Sequence, residues 1–83
     1  MNPRLKRVKS LPDYLLEVEF ENGKIGRFDM KPYLGVGVFR QLREQAYFSK
    51  AKVLLGTVHW PDGQDLCPDT IYENSIIAAG KQN

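Results

Sequence analysis

Apolar residues alternate with polar ones most clearly over residues 14–20. Tyr14, Leu16, Val18 and Phe20 fall on one side of an extended chain, and Leu15, Glu17 and Glu19 fall on the other. Side chains on a strand point alternately to its two faces, so this pattern predicts a half-buried β-strand. Upstream, Arg4 to Ser10 also reads as a strand, although Leu5 and Val8 lie on opposite faces unless a bulge intervenes. Leu11-Pro12-Asp13 turns the chain between the two. Downstream, Glu21-Asn22-Gly23 turns it again, with two registers open. A two-residue Asn-Gly turn pairs Glu21 with Lys24. A three-residue turn with a bulge at Gly23 pairs Glu17 with Arg27 and Leu16 with Phe28. The second register is preferred, because it sets opposite charges outside and apolar groups inside. Lys24 to Asp29 then completes a three-stranded meander.

The periodicity changes after Asp29. Asp29 suits the cap of a short helical turn over Met30 to Leu34, with Pro32 in its first turn. Gly35-Val36-Gly37 is a joint, and it lacks the third glycine and the strand-to-helix setting of a phosphate loop. Val38 to Gln45 predicts a helix with Phe39 and Leu42 on one face and Arg40, Arg43 and Glu44 on the other. Ala46 to Lys50 continues as a second short turn, with Tyr47 and Phe48 read as core. Lys52 to Trp60 reads as a strand, broken near Gly56.

Pro61-Asp62-Gly63 then makes a tight turn that pairs Trp60 with Gln64, His59 with Asp65 and Val58 with Leu66. In that register Val58, Trp60, Gln64 and Leu66 share an inner face. Thr57, His59, Asp65 and Cys67 share a polar one. Pro68 to Ile76 predicts a short closing helix, and residues 77–83 read as a tail that frays. The expected fold class is therefore α+β: an antiparallel β-meander, short central helices, and a C-terminal β-hairpin followed by a short helix, all in one small domain over residues 1–83.

Composition adds boundaries. Of the 83 residues, 42% are hydrophobic and 27% charged, the balance of a folded domain rather than a disordered one. The single Cys cannot form an internal disulfide. No apolar run resembles a signal peptide or reaches membrane-spanning length, so no membrane association and a cytoplasmic location are expected. The net charge of +2 does not by itself argue for nucleic acid. The charge is uneven, however: Arg4, Lys6, Arg7 and Lys9 crowd the first strand with no acid before Asp13. Basic residues of this kind protect an exposed edge strand from aggregation, which is the preferred reading. The sharper alternative is a phosphate-contacting patch on those four residues.

His59, Asp65 and Cys67 supply the residue types of a thiol nucleophile, its base and an orienting acid. The preferred reading is structural, since a free Cys usually behaves as a small buried hydrophobe and Cys67 directly precedes a helix. One His and one Cys fall short of a zinc ligand set. No catalytic, cofactor or metal residues are therefore assigned, and the chain is not expected to be an enzyme.

A longer pattern runs through Asp13-Tyr14-Leu15-Leu16, Phe20-Glu21-Asn22-Gly23, Phe28-Asp29-Met30, Phe39 and Phe48. It closes with Trp60-Pro61-Asp62-Gly63-Gln64-Asp65 and Pro68-Asp69-Thr70-Ile71-Tyr72. Over about Arg4 to Tyr72 the chain resembles the bacterial domain of unknown function 2442 family. Cys67 and Ile71 depart from the small residue and the Leu that the resemblance leads one to expect. The resemblance implies a small α+β domain with no established activity, set in two-gene bacterial modules beside another short protein. It defines no binding residues. Asn22, Gly23, Trp60, Pro61, Asp62, Gly63, Asp65, Pro68 and Tyr72 are the motif positions to which a structural role is assigned. The expected function is a protein-interaction or antitoxin-like component with a partner from a neighbouring gene. A homodimer through a free sheet edge is also open. The alternative function is nucleic-acid binding or regulation through the basic first strand.

Overall fold

A computed structural model describes residues 2–77; the C-terminal stretch expected as a tail lies outside them from residue 78 onward. The first strand, β1 (Leu5–Leu11), pairs antiparallel with β2 (Leu15–Phe20), which pairs in turn with β3 (Ile25–Asp29). The register of β2 on β3 is the preferred one, Glu17 opposite Arg27 and Leu16 opposite Phe28. Gly23 has φ +90°, and the Gly23 amide donates to the Phe20 carbonyl at 2.9 Å, closing the turn. A bulge between Leu5 and Arg7 resolves the mismatch in the first strand. It lets Leu5 stay buried while Val8 comes opposite Val18.

The β1–β2 connection is tighter than the sequence suggests. Pro12–Tyr14 form a 3-10 turn in which both Asp13 (φ +67°) and Tyr14 (φ +61°) are left-handed. Such backbone costs an L-residue roughly 1–2 kcal/mol. Local contacts offset it. The Tyr14 ring meets Phe48 edge-on at 5.3 Å, its hydroxyl donates to the Arg43 carbonyl, and Lys31 Nζ donates to the Asp13 carbonyl at 2.8 Å.

The middle of the chain is helical in short pieces only. Lys31–Tyr33 and Gly37–Arg43 are 3-10 segments, and α1 (Gln45–Phe48) is a single α-turn. The expected helix over Val38–Gln45 is thus a 3-10 helix that stops at Arg43. Glu44 is extended (ψ 113°) and breaks it from α1. Asp29 caps the first piece through an Asx turn, its carboxylate accepting the Lys31 amide at 2.9 Å. Leu42 and Phe48 drop into the core, while Phe39 and Tyr47 pack at its margin.

The stretch expected as one broken strand is a hairpin. β4 (Lys52–Leu54) and β5 (Thr57–His59) pair across Leu55-Gly56, and β5 pairs with β6 (Asp65–Leu66). The second hairpin keeps the expected register, Val58 opposite Leu66 and His59 opposite Asp65. Gly63, at φ +101°, closes it by donating to the Trp60 carbonyl at 3.1 Å. The closing helix α2 runs Pro68–Asn74, shorter than expected. Ile76–Ile77, expected as the end of that helix and the start of the tail, form instead a two-residue strand, β7, beside β3. The strand orders are β1-β2-β3-β7 and β4-β5-β6. One buried cluster draws on both sheets and the helices, from Leu5, Leu16, Phe20 and Phe28 to Phe48, Trp60 and Ile71.

The Leu55-Gly56 turn has φ +54° and +79°, the signs a type I′ turn requires at both central positions. Leu is ill suited to the first of these, and Leu55 is 80% exposed, so packing returns little. Leu55→Asn is expected to stabilise the fold by about 1 kcal/mol, raising Tm by roughly 4–8 °C for a domain of this size. Differential scanning calorimetry checks this, and an unchanged or lower Tm would contradict it.

Candidate interaction surface

The two faces of the first sheet are treated differently. Leu16, Val18, Phe20, Gly26 and Phe28 point into the core and are buried. The opposite face carries Arg7 and Lys9 on β1, Leu15, Glu17 and Glu19 on β2, and Ile25, Arg27 and Asp29 on β3. Two shallow concavities adjoin there. One of about 290 Å³ is bordered by Arg7, Lys9, Glu17 and Glu19, and one of about 440 Å³ by Leu15, Arg27, Asp29 and Asn74. Ile25 and Glu17 border both. Leu15 and Ile25 are each half-buried, at opposite ends of this face with the Glu17–Arg27 pair between them.

The four basic residues that the alternative reading gave to phosphate do not form one free patch. Arg7 Nε donates to Glu19 at 2.9 Å, and Lys9 stands opposite Glu17 across the β1–β2 register. Arg4 turns the other way, donating to the Leu55 carbonyl at 2.6 Å. Lys6, at the bulge, is exposed. β1 is an edge strand of its sheet, as preferred, and its Leu5 amide donates to the Gly56 carbonyl at 3.1 Å.

The Trp60-to-Asp65 motif is a hydrogen-bond hub. Trp60 is almost fully buried and its Nε1 donates to the Phe48 carbonyl at 3.0 Å, while the Ser10 hydroxyl donates to the same oxygen at 3.2 Å. Gln64, buried beside it, accepts from the Tyr47 hydroxyl at 2.6 Å. Its amide donates to the Val38 carbonyl at 3.1 Å and to Gln41 Oε1 at 2.9 Å. Gln41 then donates to the Asp62 carboxylate at 2.6 Å, and the Asp62 amide returns to the Tyr47 hydroxyl at 2.8 Å. Pro61 and Gly63 are exposed in the turn. Pro68 begins α2, and Tyr72 covers Phe20 edge-on at 4.9 Å with Lys24 above its ring. Asn22 accepts the Lys24 amide at 3.0 Å. Sequence reasoning placed Gln64 on the inner face but missed Gln41 and Tyr47 as its partners.

Residues 5–76 match the family model described as a protein of unknown function (DUF2442). The chain belongs to that family. No curated protein and no solved structure matches it. In this DUF2442 domain the motif residues Asn22, Gly23, Trp60, Asp62, Gly63 and Tyr72 hold turns and core together.

His59 and Asp65 are cross-strand partners, and Cys67 lies two residues beyond Asp65. Cys67 is exposed at the start of α2, and its sulfur bonds the Thr70 hydroxyl at 3.3 Å, not His59. That hydroxyl, then the Thr70 backbone, holds the thiol pKa below its ordinary value. His59 sits on the second sheet between Lys52 and Asp65. The Lys31 amide and ammonium lower the Asp29 pKa, and Asp29 and Asp13 together raise that of Lys31. These exposed pairs contribute little stability. Among the described residues no three His, Cys, Asp or Glu side chains gather as a metal site, and no helix is long and apolar enough to cross a membrane.

Proposed function

We propose that this domain is a non-enzymatic protein-interaction module, an antitoxin-like member of a two-gene pair, that docks its partner on the outer face of the meander. The observation that carries this reading is a face of the meander on which half-buried Leu15 and Ile25 stand at either end of the Glu17–Arg27 pair, amid Arg7, Lys9 and Glu19. Non-obligate protein interfaces mix apolar and charged contacts in this way. The alternative, nucleic-acid contact through Arg4, Lys6, Arg7 and Lys9, draws less support, because Arg4 and Arg7 already have partners within the fold.

The test is co-expression of the tagged domain with the product of the neighbouring gene, followed by size-exclusion chromatography with light scattering. A defined heteromeric complex is expected. Ile25→Lys should weaken it at least tenfold and leave the circular dichroism spectrum unchanged, since the new ammonium lies opposite Glu19. A folded neighbour that never co-elutes would refute the reading, and a homodimer that survives Ile25→Lys would move the interface elsewhere.

A further inference from the structure

Lys50, Lys52 and His59 converge on a concavity that lies away from the meander face. It is an open hollow of about 370 Å³ bordered also by Val53, Leu54, Pro61 and the largely buried Trp60. The Leu55-Gly56 turn creates it by bringing Lys52 directly opposite His59, with Leu54 opposite Thr57 on the same face. No carboxylate lines the concavity. Asp65 is the acid nearest in register, on the far side of His59 from Lys52. Among the described residues neither lysine has an ion-pair partner. Two lysines without ion-pair partners and a histidine therefore line a partly apolar hollow.

Donors of this type suit an oxyanion. Lysine binds phosphate as a point charge, whereas planar carboxylates favour the fork of arginine, and no arginine lines this site. The volume exceeds what a bare anion needs and falls in the range of small-molecule sites. We propose that this concavity binds a phosphate monoester carried on a small apolar or aromatic body. Lys50 and Lys52 hold the phosphate oxygens, His59 donates to them through a ring N–H, and the body lies against Leu54 and Pro61. The site is distinct from the meander face and stands or falls separately from the interaction reading.

His59 and Trp60 are the chain's single His and single Trp, so each gives one unambiguous reporter signal. The experiment titrates the full chain with phenyl phosphate, and separately with inorganic phosphate and benzoate, following the Trp60 indole and His59 ring resonances by NMR. Phenyl phosphate should give saturable shifts confined to residues 50–61 and bind at least tenfold more tightly than either other probe. Lys50→Gln with Lys52→Gln should weaken it at least tenfold while the remaining amide spectrum stays in place. Lys6→Gln with Lys9→Gln should leave the affinity unchanged. Absence of saturable shifts would overturn the proposal, as would equal affinity for all three probes or undiminished binding by the Lys50, Lys52 double variant. Loss of binding in the Lys6, Lys9 variant would also overturn it, by returning phosphate contact to the first strand.

Discussion

Replacing Phe48 with Ala is expected to cost about 3–5 kcal/mol of stability, enough to leave much of the domain unfolded at room temperature. Phe48 is fully buried where three parts of the fold meet. Its ring lies edge-on to Tyr14 from the β1–β2 connection and 6.3 Å from the Trp60 ring of the second sheet. Truncation removes the transfer energy of a large ring and leaves a cavity between segments that cannot easily close. Small domains sit at the low end of the usual range of roughly 5–15 kcal/mol, so the loss is a large fraction of the total. Guanidinium unfolding followed by Trp60 fluorescence measures it. Phe48→Leu should retain more than half of the lost stability. A Phe48→Ala loss below about 1 kcal/mol would mean that the ring is not the joint described.

Gln64→Leu should be the second most damaging change, at about 3 kcal/mol. Leu is close to Gln in size, so no large cavity forms. The cost is polar: the Tyr47 hydroxyl, the Val38 carbonyl and Gln41 all lose a partner in the part-buried network around Gln64. Tyr47→Phe removes two of the network's bonds and should cost about 1–2 kcal/mol. The double variant should fall short of the sum, because both changes break the same Tyr47–Gln64 bond. Urea unfolding of the three variants measures the coupling, and strictly additive losses would show that the network does not act as a unit.

The fold was legible wherever turn chemistry and alternation agreed. Pro61, Asp62 and Gly63 between two apolar runs sufficed for the register of β5 on β6, and the charge match of Glu17 with Arg27 sufficed for β2 on β3. The Leu55-Gly56 reversal was not legible as a hairpin, because Leu occupies a left-handed position where Asn or Asp would be the usual signal. A two-residue strand such as β7 is too short to carry any periodicity. The basic residues of the first strand were obvious, but their acidic partners on β2 follow only once the bulge near Lys6 has set the register. The concavity at His59 was hidden for a related reason. Lys50 and Lys52 reach His59 only through the Leu55-Gly56 reversal, so nothing local in the sequence marks them as neighbours.

The seam between β1 and the β4–β5 turn bears on how the chain folds. Each meander pairs strands that follow one another closely in sequence, and hairpins of this kind form within microseconds. The Leu5 amide and the Arg4 side chain, by contrast, reach across more than half the chain to Gly56 and Leu55. A Cβ built on Gly56 would lie 2.6 Å from Arg4 Nε, so a side chain there would force Arg4 out of this seam. Local hairpins are therefore expected to form first, and this seam, like the pairing of β7 with β3, closes later because it joins segments far apart in sequence.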